Sequence, residues 1–320
     1  MDIGLLIEGQ EGVEWSQWLA LAKACDEGGI HALLTSDHFG SLYGANRCSL
    51  DAWAVVNALS AVTERVRLGV LVSPPTFRHP SDLSRLAATA DHISGGRVEA
   101  GLGVGWNEEE HRAYGFRFPE APARMKMLSE GAEIIYRQWT EDVFDYSGTY
   151  FVLERCSALP KPVSRVGYPP LIIGGSARQK TAGLAARFAA EYNTTFGATP
   201  DACRERRQHL DEACVAVNRD PSTLRFSAMT EFVIGRDSDA VQYRLERIAS
   251  LQGLDGGQAF LDSDGMHGRS MLVGTPAAIL ARLEEYRAVG VDRVILQHLL
   301  HDDLEALELL AQEILPSIGR

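Results

Sequence analysis

The five cysteines of this 320-residue chain form no C-x-x-C pair, and their number is odd. Small secreted proteins that depend on disulfides usually carry an even number of cysteines at characteristic spacings. The pattern therefore excludes a disulfide-built scaffold and favours a reduced, intracellular protein. The residues concerned are Cys25, Cys48, Cys156, Cys203 and Cys214.

The chain also lacks the short motifs that mark several large enzyme classes. It has no H-E-x-x-H, no G-x-S-x-G and no G-x-x-x-x-G-K, which argues against zinc proteases, serine hydrolases and P-loop nucleotide binders. The run 101–105, GLGVG, is not a dinucleotide-binding fingerprint, because the last glycine of G-x-G-x-x-G is missing. His298 and His301 lie three residues apart with no evident third ligand, so no metal site is expected.

Positive charge is scarce. The chain has 31 Lys and Arg against 43 Asp and Glu, a formal net charge of -12, which argues against nucleic acid or an anionic membrane as the main partner. No apolar run is long enough to cross a bilayer. Asp2 and Glu8 interrupt the first apolar run, unlike the core of a signal peptide. We therefore expect a cytoplasmic protein that acts on a small molecule.

The chain does contain a regular alternation of short apolar runs and segments with helical spacing. Eight such runs predict strands buried on both faces. This count predicts an α/β fold, a (β/α)8 TIM barrel formed by residues 1–320 as one domain. A doubly wound open sheet is the alternative. The predicted strands are 2–8, 31–36, 66–73, 97–105, 170–173, 189–195, 224–234 and 293–297.

The alternation loosens after the fourth and seventh strands, which predicts two insertions. The first contains a predicted hairpin, with strands 143–146 and 149–153 on either side of Ser147-Gly148. The second contains the glycine-rich stretch 253–268, which is expected to be mobile or to face the substrate.

Polar residues or glycines follow almost every predicted strand. In a TIM barrel these strand ends form one rim, and active sites lie there, which favours the barrel over the open sheet. The rim clusters are Glu8, Asp37-His38, Pro74-Pro75, Trp106-Asn107-Glu108, Gly174-Gly175-Ser176 and Gln297-His298.

The fourth strand has glycines at 101, 103 and 105, so one of its faces carries no side chains. One interpretation is that a flat ring lies on this face, with polar groups around its reactive edge. The other is a tight barrel interior that needs small residues, with the acidic run 108–110 as the solvated start of a helix. The spacing leaves both interpretations open.

Two rim clusters have side chains or backbone suited to chemistry. His38 can donate a proton near physiological pH, and Asp37 beside it can orient it or a substrate; the alternative is a structural cap. The run Gly174–Ser176 precedes a helix, which suits a phosphate, and Arg178 and Lys180 add positive charge; the alternative is a plain turn.

Four stretches together resemble the bacterial luciferase-like superfamily. Within it, SDHF and IEGQEG at 7–12 are most similar to oxidoreductases that use coenzyme F420, a deazaflavin, although FMN-dependent relatives share the glycine strand and the acidic run. The four stretches are SDHF at 36–39, LGVLVSPPTFRHP at 68–80, DHISGGRVEAGLGVGWNEEEHRAYG at 91–115 and PPLIIGGSA at 169–177.

The resemblance implies an F420-dependent oxidoreductase that transfers a hydride between the deazaflavin and a small organic substrate, and a homodimer. The alternatives are an FMN-dependent luciferase-like monooxygenase and a barrel that binds a flavin or deazaflavin without catalysis.

The resemblance also implies roles for individual residues. Leu71-Val72 matches a bulge with a non-prolyl cis peptide that props the cofactor ring, and His38 is placed beside the reactive carbon. Glu108 lies in a run that aligns with the position of an active-site Glu in some relatives. The implied catalytic residues are His38, Asp37 and Glu108, and the implied cofactor-binding residues are Leu71, Val72, Gly103, Gly105, Trp106, Asn107, Gly174, Gly175 and Ser176.

Overall fold

The apolar runs form parallel strands that close into a barrel. The computed structural model describes residues 1–43, 47–164, 167–195, 198–262 and 270–319. Its strands are β1 (Asp2–Ile7), β2 (Ala32–Thr35), β3 (Arg67–Ser73), β4 (Val98–Leu102), β5 (Val143–Ser147), β6 (Val152–Ser157), β7 (Leu171–Gly175), β8 (Glu191–Thr194), β9 (Arg225–Ile234), β10 (Leu272–Gly274) and β11 (Arg293–Gln297). Eight strands pair in parallel in the order β1-β2-β3-β4-β7-β8-β9-β11, and β11 pairs with β1. The predicted TIM barrel is confirmed, and the open-sheet alternative is wrong.

Helices flank the barrel. They are α1 (Trp15–Gly28), α2 (Ala52–Ser60), α3 (Pro80–Ser94), α4 (Glu108–Ala113), α5 (Ala121–Thr140), α6 (Gln179–Phe188), α7 (Pro200–Ala216), α8 (Ser238–Gln252), α9 (Gly257–Asp262), α10 (Pro276–Ala288), α11 (Leu304–Leu309) and α12 (Leu315–Ile318), the last two joined by the π-helical turn Leu310–Ile314. Local sequence sets many ends: α3 begins at Pro80 and stops before Gly95, which adopts a φ of 70°. Across the described residues, no helix combines the length and apolarity needed to span a membrane.

The amino ends of the strands meet around a buried arginine. Arg293 of β11 is fully buried, with Nη1 2.8 Å from Oε2 of Glu99 on β4 and Nη2 2.8 Å from Oε1 of Glu191 on β8. Burial alone would raise the pKa of Glu99, but the charges of Arg293 and Arg67 lower it to about 2. In TIM barrels this end contributes stability, and the opposite end carries function.

The insertion after β4 contains the predicted hairpin, but its second strand begins later than expected. Strands β5 and β6 pair antiparallel, and β6 starts at Val152 rather than at Thr149. The backbone N–H groups of Thr149 and Tyr150 donate to the carboxylate of Glu130 on α5 at 2.8 and 2.9 Å. These residues form the turn because the side chain of Glu130, on the helix that directly precedes the hairpin, accepts from their N–H groups.

The insertion after β9 contains two elements that were not predicted. Within the glycine-rich stretch 253–268, residues 257–262 form helix α9, and residues 263–268 lie outside the described part of the chain, so the expectation that this stretch is mobile or faces the substrate stays a prediction. Strand β10 was missed. It has only three residues, too few for a periodic signal, and it pairs with the end of β9, where Leu272 lies opposite Phe232.

Candidate active site

A cavity of about 340 Å³ opens at the carboxyl ends of the barrel strands. This volume lies within the range of small-molecule sites. Of the predicted site residues, Asp37, His38, Leu71, Val72, Gly105, Trp106 and Asn107 line the cavity. The structure does not place Gly103, Glu108, Gly174, Gly175 or Ser176 in that lining.

A bulge in β3 forms one part of the cavity wall. The pairing of β3 with β4 shifts register between Val70 and Ser73, and the Leu71–Val72 peptide bond is cis. The bulge and cis peptide expected from the resemblance are both confirmed. Leu71 and Val72 line the cavity, so the bulge presents an apolar surface to any occupant.

The glycines of β4 accommodate this bulge. A Cβ atom on Gly103 would overlap Cγ2 of Val72, and one on Gly101 would overlap the carbonyl oxygen of Val70. The strand face is therefore filled by β3 and is not open to a ring. The interpretation that a ring lies directly on Gly101 and Gly103 is wrong, and the barrel interior that needs small residues is supported.

His38, which follows β2, is held by a buried carboxylate. Its Nδ1 lies 3.0 Å from Oε2 of Glu110, and Oε1 of Glu110 accepts the N–H of Phe39 at 2.5 Å. Burial disfavours the charged form of His38, but the hydrogen bond and charge of Glu110 outweigh it, and the pKa of His38 is raised. With the Nδ1 proton donated to Glu110, Nε2 is the nitrogen available to a substrate.

Helix α4 brings Glu110 to this position. The side chain of Asn107 caps the helix by accepting the N–H of Glu110 at 3.1 Å. The adjacent His111 is fixed through both ring nitrogens, 2.6 Å from the carbonyl of Asn107 and 2.7 Å from Oγ1 of Thr76. Both Glu110 and His111 line the cavity.

Glu108, the predicted catalytic carboxylate, lies exposed at the start of α4. The member of the acidic run that reaches the cavity is Glu110, which sequence reasoning missed. One signal was available: Asn107 followed three residues later by a glutamate is a helix-capping pattern. That pattern places Glu110 at the third helical position.

Asp37, expected to orient His38 or a substrate, is paired with Arg78. The guanidinium of Arg78 contacts both carboxylate oxygens, with Nε at 3.0 Å and Nη2 at 2.7 Å. Ser73 donates to the same carboxylate at 2.5 Å and accepts from Nε1 of Trp53 at 2.9 Å. Asp37 thus joins the end of β2 to the end of β3 and supports the bulge.

A further polar group, absent from the predicted site residues, lies where β1, β2 and β11 end. Oε2 of Glu8 accepts from Oγ of Ser36 at 2.5 Å and from Nε2 of Gln10 at 2.7 Å, and Oε1 accepts from Gln297. The sequence marks Glu8 and Gln297 as rim residues. No motif connects them, because only closure of the barrel brings β1 beside β11.

The predicted phosphate-binding run, Gly174–Ser176, ends β7 and precedes α6. Gly175 packs against Tyr192, whose hydroxyl accepts the N–H of Ala177 at 2.6 Å. Arg178 occupies the N-cap position of α6 without a side-chain capping bond. The helix N-terminus required by the phosphate interpretation is present, and phosphate binding there stays a prediction.

Known proteins match this chain at the level of both family and individual relatives. A family model described as luciferase-like monooxygenase matches residues 3–293. An F420-dependent glucose-6-phosphate dehydrogenase of Microbacterium testaceum (strain StLB037) is 34% identical over 192 residues, 60% of this chain and 56% of that protein. The match thus spans about half the length of that relative.

Two longer matches extend the comparison. An FMNH2-dependent dimethylsulfone monooxygenase of Pseudomonas putida is 27% identical over 322 residues, 93% of this chain and 86% of that protein. The crystal structure of the monooxygenase RslO1 from Streptomyces bottropensis superposes with a TM-score of 0.84 at 23% identity, covering 99% of this chain and 100% of the other. The structural match is a likeness of fold.

Proposed function

The chain belongs to the luciferase-like monooxygenase family, and from this premise we propose that it is an F420-dependent oxidoreductase acting on a small organic substrate. The observation that carries the proposal is the His38–Glu110 pair in the cavity wall. Oxidation of an alcohol, or reduction of a carbonyl group, moves a proton on oxygen as well as a hydride on carbon. A histidine held by a carboxylate is suited to that proton transfer near neutral pH.

The volume and the apolar lining of the cavity support binding of a deazaflavin. Its volume is about 340 Å³, and the bulge residues Leu71 and Val72 provide an apolar support for a ring. When bound, F420 supplies the carbon that accepts or releases the hydride. We assign its phosphate to the run Gly174–Ser176, with Arg178 and Lys180 as counter-charges for its acidic tail.

In the proposed reaction, His38 and Glu110 act on the proton. The lone pair of Nε2 accepts the proton of a substrate hydroxyl while a hydride leaves the carbon that bears this hydroxyl, and the product is a carbonyl compound. In the reverse direction, protonated His38 returns the proton to the carbonyl oxygen. Glu110 fixes the tautomer and stabilises the imidazolium, in keeping with the raised pKa of His38.

An FMN-dependent monooxygenase is the second candidate. Its specific support is the Pseudomonas putida relative, which matches 93% of this chain, whereas the F420-dependent relative matches 60%. The bulge and the volume of the cavity favour neither ring over the other. The His38–Glu110 pair favours hydride and proton exchange, because a proton-transfer group is a direct requirement of that chemistry.

Two assays separate the candidates. In the first, the protein is incubated without oxygen with oxidised F420 and a panel of secondary alcohols, and also with reduced F420 and the matching ketones, while the F420 spectrum is followed. In the second, the protein receives FMN, NADH and a flavin reductase, and oxygen uptake is compared with that of the reductase alone. We expect protein-dependent turnover of F420. Oxygen uptake that needs this protein, without F420 turnover, would identify a monooxygenase, and binding without turnover would identify a non-catalytic barrel.

A further inference from the structure

Glu8 is a buried carboxylate in the part of the cavity wall formed by the ends of β1, β2 and β11. It is 5% exposed and lines the cavity. Its three identified donors are the amides of Gln10 and Gln297 and the hydroxyl of Ser36, whose oxygen also lies 2.8 Å from the amide oxygen of Gln10. All three donors are uncharged, so they fix the carboxylate in place without pairing its charge.

The hydrogen bonds identified around Glu8 leave acceptor positions for a ligand. A carboxylate offers about four lone-pair positions, and three donors are accounted for at Glu8. Gln297 gives an N–H to Glu8, which leaves its amide oxygen as an acceptor. Both Glu8 and Gln297 line the cavity. A ligand group that satisfies both must therefore bring hydrogen-bond donors.

The charges around Glu8 also restrict which ligand group can bind. Neither lysine nor arginine occurs among the described residues that line the cavity, and the imidazole of His38 is paired with its own carboxylate, Glu110. Tyr43, another lining residue, has a raised pKa because it is buried and because Glu8, Glu11 and Glu231 lie near it. A negative potential in this corner opposes an anionic group and favours a neutral or cationic one.

We propose that Glu8 determines specificity by accepting a hydrogen bond from a hydroxyl or amino group of the substrate. The substrate class is then a neutral or cationic alcohol, or the corresponding carbonyl compound, with a second donor group. Carboxylates and phosphate esters are disfavoured, unlike the phosphate ester in the name of the Microbacterium relative. This inference rests on the proposed function for the reaction, and on Glu8 and Gln297 for the choice of substrate.

A matched series of compounds tests the preference. The series is trans-cyclohexane-1,4-diol, trans-4-aminocyclohexanol and trans-4-hydroxycyclohexanecarboxylate, which share a ring and a secondary alcohol and differ in one group. Binding to cofactor-loaded protein is measured by isothermal titration calorimetry for the wild type, Glu8→Gln and Glu130→Gln. Glu130 is a buried carboxylate that caps the β5–β6 turn outside the cavity lining, so its variant controls for loss of a buried charge.

The wild type should bind the diol and the amine about tenfold or more tightly than the carboxylate, the scale of one hydrogen bond to a charged group. Glu8→Gln should reduce the preference for amine over carboxylate by about tenfold, and Glu130→Gln should leave it unchanged. If Glu8 has only a structural role, Glu8→Gln should leave the order of the three binding affinities unchanged. Equal binding of amine and carboxylate by the wild type, an unchanged ratio in Glu8→Gln, or no binding of the diol and amine would overturn the proposal.

The binding measurement does not require turnover, so it separates this inference from the proposed function. The protein is loaded with F420 in one set of titrations and with FMN in another. If FMN proves to be the cofactor but the charge preference depends on Glu8, the proposed function fails and the substrate inference stands. If F420 supports turnover but the preference is absent, the substrate inference alone fails.

Discussion

His38 depends on one carboxylate for both its orientation and its charge. Glu110 hydrogen-bonds Nδ1 of the ring and also accepts the N–H of Phe39. Burial works against the imidazolium, and Glu110 reverses that effect. Under the proposed function, the two members of the pair have separable roles, with His38 transferring the proton and Glu110 raising the pKa of His38.

The first prediction concerns His38→Ala. We expect turnover of F420 to fall by about 10²-fold or more, because the group that moves the substrate proton is gone. Cofactor affinity, measured by fluorescence titration, should stay close to that of the wild type. His209→Ala, on an exposed face of α7, is the control and should keep full turnover. Full turnover in His38→Ala would reduce His38 to a structural residue.

The second prediction concerns the pH dependence of Glu110→Gln. In alcohol oxidation His38 must be neutral, so kcat/KM falls as the pH drops below its pKa. Removing the carboxylate removes the group that raises this pKa and leaves the burial that lowers it. The acidic limb of the kcat/KM profile should therefore move to lower pH in the variant. A limb that stays in place, or moves to higher pH, would show that Glu110 does not tune His38.

At the scale of single residues, the sequence predicted the types of side chain in the cavity better than the positions that supply them. His38 was predicted from its place after a strand, and it lines the cavity. Glu108 was predicted from an alignment with relatives, but the phase of α4 turns Glu110 inward and leaves Glu108 in solvent. Asp37 was expected to orient His38 or a substrate, and its partner in the structure is Arg78, 41 residues away. Contacts of this kind join residues from two loops that are far apart in the sequence, so no local sequence pattern predicts them.

Among the elements, the β3 bulge and the glycine strand β4 depend on each other. Val72 projects toward Gly103, and the carbonyl of Val70 lies against Gly101. The two glycines therefore meet different obstacles, one a movable side chain and the other the backbone. That difference can be measured.

The third prediction uses this difference. Gly103→Ala should lower the free energy of unfolding by about 1–3 kcal/mol, as overpacked cores do, and adding Val72→Ala should recover part of the loss. Gly101→Ala should be destabilising as well, but Val72→Ala should not rescue it, because the overlap is with the carbonyl of Val70. Urea unfolding of the single and double variants gives the comparison. Equal rescue of both glycine variants would contradict this account of the bulge.

Local patterns predicted most elements, and tertiary contacts account for the differences. The barrel strands were found because runs buried on both faces are apolar throughout. The start of β6 was misplaced because Glu130 takes the N–H groups of residues that would otherwise extend the strand. The short elements α9 and β10 were missed because their length gives no periodicity.

For the whole molecule, the two ends of the barrel contain different groups of polar residues. The cavity and the His38–Glu110 pair lie at the carboxyl ends of the strands, and the charged cluster of Arg293, Glu99 and Glu191 joins β11, β4 and β8 at the other end. Neither end was fully predictable, because both assemble residues from distant parts of the chain. The family resemblance predicted the bulge, but the resemblance does not distinguish proteins that bind FMN from proteins that bind F420.

The fourth prediction concerns the charged cluster. Arg293→Met leaves two buried carboxylates without their shared partner and should destabilise the fold by about 3–5 kcal/mol. Replacing all three residues, with Glu99→Leu and Glu191→Leu added, should restore much of the loss. Thermal unfolding measures both, and cofactor titration should show little change in a variant that folds. A triple variant less stable than Arg293→Met would contradict this view of the cluster.

The identity of the cofactor, F420 or FMN, determines whether the proposed reaction is correct. F420 carries carbon where a flavin has its reactive nitrogen, so it transfers hydride and reacts little with oxygen. Its phosphodiester and glutamate tail is a long anion, and Arg178 and Lys180 are exposed cations beside the assigned phosphate run. These cations should attract the tail, and salt should weaken that attraction.

The most direct test is competition of F420 against FMN for the purified protein, measured at low and at high ionic strength. We expect F420 to bind more tightly than FMN and its affinity to fall as the salt concentration rises. Tighter binding of FMN, together with an F420 affinity that does not respond to salt, would contradict the proposal and assign the chain to the flavin-dependent monooxygenases of its family.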